Sequence, residues 1–367
     1  MHEPRTLDDL TTPAALVDVD RMRANLDRMA SYTEAHGLAL RPHIKTHKVP
    51  ALAREQLARG AAGLTVATAH EAEVMAAVAD DLLMAYPPVG GGRLATLVSL
   101  PERVRVTVGL DSVEALEGLS AAAGAAGRTI GVLVEMDVGM HRVGLSDTTA
   151  AIALAQRAAD APGIEYRGVM FYPGHIRESV HEQGPALQRL RENLRVRLEA
   201  FAAAGLTPRV VSAGSTPAAF ASHEITGLSE IRPGTYIFND RTTAEIGACR
   251  PEDCAYTVLA TVVSTAVPGQ AVVDAGSKAL GREPLRGAAG EGFGALLDRP
   301  EVTVRAMSEE HGILDITRTD WRPRVGERVR IVPNHVCYSV NLQALLWGVR
   351  GAAVIERWEV AARGWTN

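Results

Sequence analysis

The sequence predicts an α/β protein: a closed (β/α)8 barrel of the TIM type over residues 12–244, then a second, mainly β domain over 245–367 that the N-terminal segment 1–11 joins. Three observations predict it. The chain is 367 residues long, more than one compact core ordinarily needs and enough for a barrel with an added domain. From Thr12 to about Asp240, short apolar runs alternate with longer Ala/Leu/Arg-rich stretches. Beyond RPGTYIFND that alternation stops, and short β-like runs separated by turns take over.

The repeating units can be read in order. AALVDVD precedes RMRANLDRMASYTEAHG, and LALRPHIK precedes VPALAREQLARGA. LTVATA precedes HEAEVMAAVA, DLLMAYP precedes GGRLATLVSL, and RVTVGLD precedes SVEALEGLSAAAG. TIGVLVEMD, IEYRGVMFYPG and RVVSAGS open further units. Continuous Val/Ile/Leu runs suit strands buried on both faces, and the spacing between them suits amphipathic helices. Seven or eight such units favour a closed barrel over an open doubly wound sheet, which shares the same local periodicity. Polar residues at the strand ends then converge on the barrel's C-terminal mouth. In the second part, CAYTVLATVVSTAVPG, AVVDAGSKAL, VTVRAMSEEHGILDI, ERVRIVPNHVCYSVNL and GAAVIERWEVAARG leave little room for long helices.

Composition narrows the function classes. Hydrophobic residues make up 47% and charged residues 22%, as in an ordinary folded protein. A formal charge of -5 gives no general attraction to nucleic acid or anionic lipid. The start, MHEPRTLDDL, lacks a basic leader or an apolar run, and no later stretch approaches a membrane span, so a cytoplasmic location is expected. Three cysteines, Cys249, Cys254 and Cys337, exclude a disulfide-rich scaffold.

The densest polar cluster is Arg41-Pro42-His43-Ile44-Lys45-Thr46-His47-Lys48. If Leu38 to Lys45 is the second strand, residues 41, 43 and 45 share a face and Lys45 emerges at the strand end, with Pro50 opening the next helix. By itself the cluster reads as a solvated basic turn, a phosphate-binding patch or a reactive lysine held near other cations. VVSAGSTPAAF is a second strand-to-helix junction. Gly214 permits close approach, Ser215 and Thr216 supply hydroxyls, and Pro217 suits the first helical turn, giving either an ordinary cap or a phosphate cradle. His335 and Cys337 flank Val336; in an extended segment both side chains face one way and can approach one ion, although a lone H-x-C pair is commonly accidental.

In order along the chain, TPAALVDVDRMRANLDRM, RPHIKTHK, TVATAHEAEVM, MHRVG, FYPGH, GSTPA, RPGTYIF, SEEHG and PNHVCYSVNL resemble the D-threonine aldolase and D-serine dehydratase family of fold-type III pyridoxal-phosphate enzymes. The resemblance covers nearly the whole chain and implies an alanine-racemase-like barrel with a β domain, assembled as a homodimer. It implies that Lys45 carries the cofactor as a Schiff base, with Lys48 the rival, and that Gly214, Ser215 and Thr216 hold its phosphate. Arg142 would lie near the cofactor's phenolic oxygen, Tyr172 would face the cofactor, and Tyr236 would reach the phosphate or the pyridine region. His335 and Cys337 would hold a divalent metal: zinc by ligand softness, or manganese or magnesium as in related aldolases. His70 would take the substrate hydroxyl proton, with His311 lining the second domain's side and His43 and His47 shaping the cofactor bed. The function this implies is metal-dependent cleavage of D-threonine and related β-hydroxy-D-amino acids to glycine and an aldehyde. Dehydration of D-serine or D-threo-3-hydroxyaspartate is the alternative, and a nonenzymatic pyridoxal-phosphate-binding protein is a third reading.

Overall fold

The computed structural model describes residues 4–285 and 292–365; residues 1–3, 286–291 and 366–367 lie outside the described residues. The chain divides into two compact units. One holds Arg28–Lys45, Pro50–Gly234 and Trp365; the other holds the described residues up to Asp27 with Thr46–Val49 and Thr235–Gly364.

The first unit is the barrel. Eight strands pair in the order Ala39–Leu40, Glu230–Ile231, Val210–Ala213, Ile164–Phe171, Ile130–Met136, Arg105–Leu110, Asp81–Met84, Leu64–Val66, each pair parallel. The two ends of that order meet through a parallel bridge between His43 and Thr65, with Thr65 N–H donating to the Pro42 carbonyl at 2.8 Å. Parallel strands need crossovers, and the Ala/Leu-rich stretches supply them as helices such as Pro50–Ala58, Val113–Ala125 and Thr148–Asp160. Leu83, Leu133 and Met170 pack as one buried cluster. A Cβ at Gly109 would lie 2.2 Å from the Met170 sulfur, so any larger residue there would force the methionine side chain to move.

The strand expected over 38–45 is shorter. Only Ala39–Leu40 is strand, and Ile44–Thr46 is a 3-10 turn. Arg41 is instead turned into a buried ionic network. Its Nε donates to Glu230 and its Nη1 to Asp81, both at 2.7 Å, and Asp81 also pairs with Arg105 at 2.9 Å. Desolvation of a guanidinium is offset only by such pairing, so the backbone leaves strand geometry where these carboxylates are met. Pro50 begins its helix as expected.

The second unit is mainly β. Its sheet has nine strands among the described residues. Ala14–Asp18, read above as the barrel's opening strand, belongs here. It pairs antiparallel with Tyr256–Ser264 and parallel with Leu345–Arg350. An apolar run such as AALVD specifies burial and not a partner, and Leu16 packs with Leu10, Ala14, Leu259 and Val349. No helix among the described residues is long and apolar enough to cross a membrane.

Candidate active site

Lys45 is exposed on its 3-10 turn in the barrel unit, whereas Lys48 is 8% exposed and its Nζ donates to Asn341 Oδ1 at 2.8 Å. Beside Lys45 lies His43, whose Nδ1 is sealed from solvent without a partner among the described residues. Burial, then the charges of Lys45, Arg232 and Arg142, hold the His43 imidazole well below its ordinary value, so it is neutral. One electrostatic neighbourhood therefore contains Lys45, His43, Arg142 and Arg232.

Arg142 sits on a loop that the strand end fixes tightly. Asp137 Oδ1 accepts from the Gly139 and His141 backbone N–H groups at 2.9 and 3.0 Å, and Gly144 N–H donates to Asp111 Oδ2 at 2.7 Å. The Arg142 guanidinium lies 4.9 Å from the Tyr172 ring centroid, a cation–π contact that joins two of the expected residues. Arg232 is 5% exposed, donates to Ser212 Oγ at 2.6 Å and to the Phe171 carbonyl at 3.0 Å, and was not singled out in the sequence. Its signal is there: SEIRPG carries a carboxylate and a guanidinium on either side of a buried isoleucine, and charges in such a run need partners.

The Gly214 junction adjoins Arg232. Gly214 has φ +112°, and a Cβ there would stand 3.2 Å from the Arg232 backbone nitrogen. Ser215 precedes the 3-10 helix Thr216–Glu224 without capping it, and its buried Oγ has no partner among the described residues. An orphaned hydroxyl, a tight glycine and a helix start are a donor set chemically suited to a phosphate. The residues present therefore fit pyridoxal phosphate.

Glu135, on the strand Ile130–Met136, is a further group missed in the sequence. It is 3% exposed and its Oε2 is unpaired among the described residues. Burial, opposed by Arg232 and Arg142, lifts its carboxyl from 4.5 to about 7. A carboxyl raised by folding contributes stability that is complete below about pH 4.5 and is lost as pH rises through about 7. Across that window the apo protein should lose on the order of 3 kcal/mol of stability through this one group. Glu135→Gln removes the titration, so urea unfolding of wild type and variant should diverge with rising pH. Parallel pH dependences would refute the assignment.

The other expected residues are placed elsewhere. His70 is the second residue of the helix Ala69–Met75 in the barrel unit, with Nδ1 3.4 Å from Glu73 Oε2 and its ring stacked 4.8 Å from Trp365. Tyr236 is buried in the turn Thr235–Ile237 of the β unit. His311 is exposed beside Ser308, and His47 is buried, its Nδ1 accepting from Val49 N–H at 3.0 Å.

His335 and Cys337 do come together in the β unit, though not on an extended segment. His335 is the extended N-cap of the helix Val336–Leu342, and Cys337 is already helical. Cys337 Sγ lies 3.3 Å from Thr46 Oγ1. His335 Nδ1 meets Asp240 Oδ2 at 3.1 Å. Burial disfavours the charged imidazole, but Cys337 and Asp240 overcome it and push His335 up to about 11.

The expected manganese, magnesium or zinc centre is corrected. Among the described residues no group of three or more His, Cys, Asp or Glu side chains is placed to hold a metal ion. Asp240, which the fold adds to the pair, is already committed. Its Oδ1 accepts from Thr243 N–H and Oγ1 at 2.9 Å each, and its Oδ2 accepts from Val336 N–H at 3.1 Å as well as meeting His335. This carboxylate caps Arg241–Glu245 and also accepts at the start of the helix Val336–Leu342. The metal-dependent aldolase expected from the sequence therefore loses its metal component.

Comparison with known proteins agrees with this architecture. The family model for the alanine racemase N-terminal domain matches residues 17–242, and that for the serine dehydratase domain matches 255–349. D-threo-3-hydroxyaspartate dehydratase from Delftia sp. (strain HT23) is 36% identical over 98% of this chain and 99% of its own. D-threonine aldolase from Arthrobacter sp. is 32% identical over 97% of this chain and 93% of its own. The crystal structure of D-threonine aldolase from Filomicrobium marinum superimposes with a TM-score of 0.90 at 33% identity, covering 99% of this chain and 98% of that one. A parallel barrel and a mainly β second unit thus join matches along nearly the full length: the chain belongs to the fold-type III pyridoxal-phosphate enzyme family of D-threonine aldolase and D-threo-3-hydroxyaspartate dehydratase.

Proposed function

We propose that this chain is a pyridoxal-phosphate-dependent lyase that cleaves the Cα–Cβ bond of small β-hydroxy-D-amino acids. The observation that carries the reading is the exposed Lys45 within a neighbourhood of His43, Arg142 and Arg232, with Gly214 packed against the Arg232 backbone and the Ser215 hydroxyl after it unpartnered among the described residues. When bound, the cofactor supplies an aldehyde that captures the substrate amine and a conjugated ring that withdraws electrons from Cα. Lys45 would hold it between turnovers, and Gly214, Ser215 and Thr216 would hold the phosphate. Arg142, braced by Tyr172, would stabilise negative charge on the phenolic oxygen.

His70 is the base we assign to the β-hydroxyl. With Nδ1 turned to Glu73, Nε2 is the atom left to accept the proton. His335, kept protonated by Asp240 and Cys337, would serve as a hydrogen-bond donor rather than a base. Tyr236 retains only a supporting part.

The second reading is dehydration, favoured by the 36% identity to D-threo-3-hydroxyaspartate dehydratase. Purified protein loaded with pyridoxal phosphate should be given D-threonine and D-threo-3-hydroxyaspartate separately, with products identified by mass spectrometry. Glycine with an aldehyde is the expected result. Ammonia with an oxo acid and no glycine would replace cleavage by dehydration, and His70→Asn with undiminished turnover would remove His70 from the base role.

A further inference from the structure

We propose that Trp365 is a positioning residue for His70, holding the imidazole in place and stabilising the charge it gains on taking a proton; the role rests on the reading of His70 as the base. Both side chains belong to the barrel unit, and their rings stack with centroids 4.8 Å apart and 26° between planes. Backbone geometry fixes each partner. Thr68 Oγ1 accepts from Glu71 N–H at 3.1 Å and Glu71 Oε2 accepts from Ala67 N–H at 2.6 Å, so the helix start that carries His70 is pinned. Ahead of Trp365, Arg363 N–H closes a turn on the Val360 carbonyl at 3.2 Å, and Gly364 adopts φ +79°. No atom lies within 4 Å of a Cβ built at Gly364, so the left-handed backbone alone calls for glycine there.

The arrangement meets what a base at this position needs. Trp365 remains 57% exposed, whereas the side chain of His70 beneath it is 20% exposed. An indole that served packing alone would bury more of its area, so the face it lays on the imidazole is the part that matters. Glu73 meets the same ring at Nδ1, 3.4 Å away, which leaves Nε2 as the accepting atom. When Nε2 takes the β-hydroxyl proton, the O–H electron pair stays on oxygen and forms the aldehyde C=O as Cα–Cβ breaks, and the imidazole becomes cationic. The negative face of an indole attracts a cation within about 6 Å of its centroid, so Trp365 favours the protonated product of that transfer. The Glu73 carboxylate, on a side chain 65% exposed, is screened by water and adds less.

The contact is tested without turnover. An imidazolium quenches an indole stacked on it, so emission from residue 365 of the full-length protein should rise with pH as the imidazole loses its proton. Trp321, Trp347 and Trp358 also emit, and subtracting the spectrum of Trp365→Phe removes their share. The difference should show one step across the histidine range, abolished in His70→Asn. A difference that is flat with pH, or a step that survives His70→Asn, would overturn the contact.

The positioning role is tested on the protein loaded with pyridoxal phosphate and given D-threonine. Trp365→Ala should lower kcat about fivefold with KM within about twofold of wild type, and move the acidic limb of the kcat profile to lower pH. Trp365→Phe, which keeps an aromatic face, should restore most of kcat. Gly364→Ala strains the turn that presents the indole and should resemble Trp365→Ala. Wild-type kcat and an unshifted profile in Trp365→Ala would overturn the positioning role. If His70→Asn then also keeps full turnover, the base reading has failed with it; if His70→Asn is impaired, the role of Trp365 alone has failed.

Discussion

Lys45→Ala is expected to abolish the borohydride-reducible adduct with pyridoxal phosphate and to lower turnover by at least about a thousandfold, the scale on which losing an obligatory covalent anchor is felt. The two lysines of KTHK differ in environment. Lys48 is buried, has left-handed backbone at φ 55° and spends its ammonium on Asn341, whereas Lys45 projects from a 3-10 turn. Removing an exposed side chain should leave unfolding within about 0.5 kcal/mol of wild type, so the loss will be chemical. Peptide mapping of the reduced adduct checks it: attachment at Lys48, or an adduct surviving in the variant, would overturn the assignment.

Arg41→Met is expected to lower stability by about 3–5 kcal/mol, the cost of leaving buried charge uncompensated. Arg41 neutralises Asp81 and Glu230 at once, and Glu230 is 5% exposed. Asp81 retains Arg105, whose side chain is 61% exposed, so that pair offers weaker compensation. Glu230 is left with the Ser212 hydroxyl, which also accepts from Arg232. The disturbance therefore passes along the barrel interior to Arg232, and cofactor affinity should fall with stability. Urea unfolding of the variant and of the triple variant R41M/D81N/E230Q provides the check. The triple variant should recover much of the loss; a single variant within about 1 kcal/mol of wild type would show that the network carries little.

Local chemistry marked the basic cluster around Lys45 and the Gly214 strand-to-helix junction, whereas the choice of Lys45 within that cluster and the part given to Arg142 came only from the family resemblance. Arg232, Glu135 and Asp240 escaped because each looks local and acts at a distance. Arg232 meets Ser212 and Phe171, and Asp240 meets His335 across 95 positions. His335 and Cys337 do lie together, but at a helix start rather than on an extended segment, and the metal expected between them is not supported; His335 meets Asp240 instead. An H-x-C spacing does not say that the intervening residue opens a helix, nor that the nearest carboxylate is already an N-cap.

The sequence by itself determined the alternation that makes a barrel and the change to β structure that follows it, because periodicity is a local property of the chain. Tertiary structure decided what locality leaves open. It moved Ala14–Asp18 into the β sheet, since a buried apolar strand takes whichever edge completes its hydrogen bonds. It took Arg41 out of the strand face, since an enclosed guanidinium goes where two carboxylates can neutralise it. It also replaced the expected metal at His335 by a hydrogen-bonded carboxylate, because Asp240 satisfies two helix ends and the imidazole together.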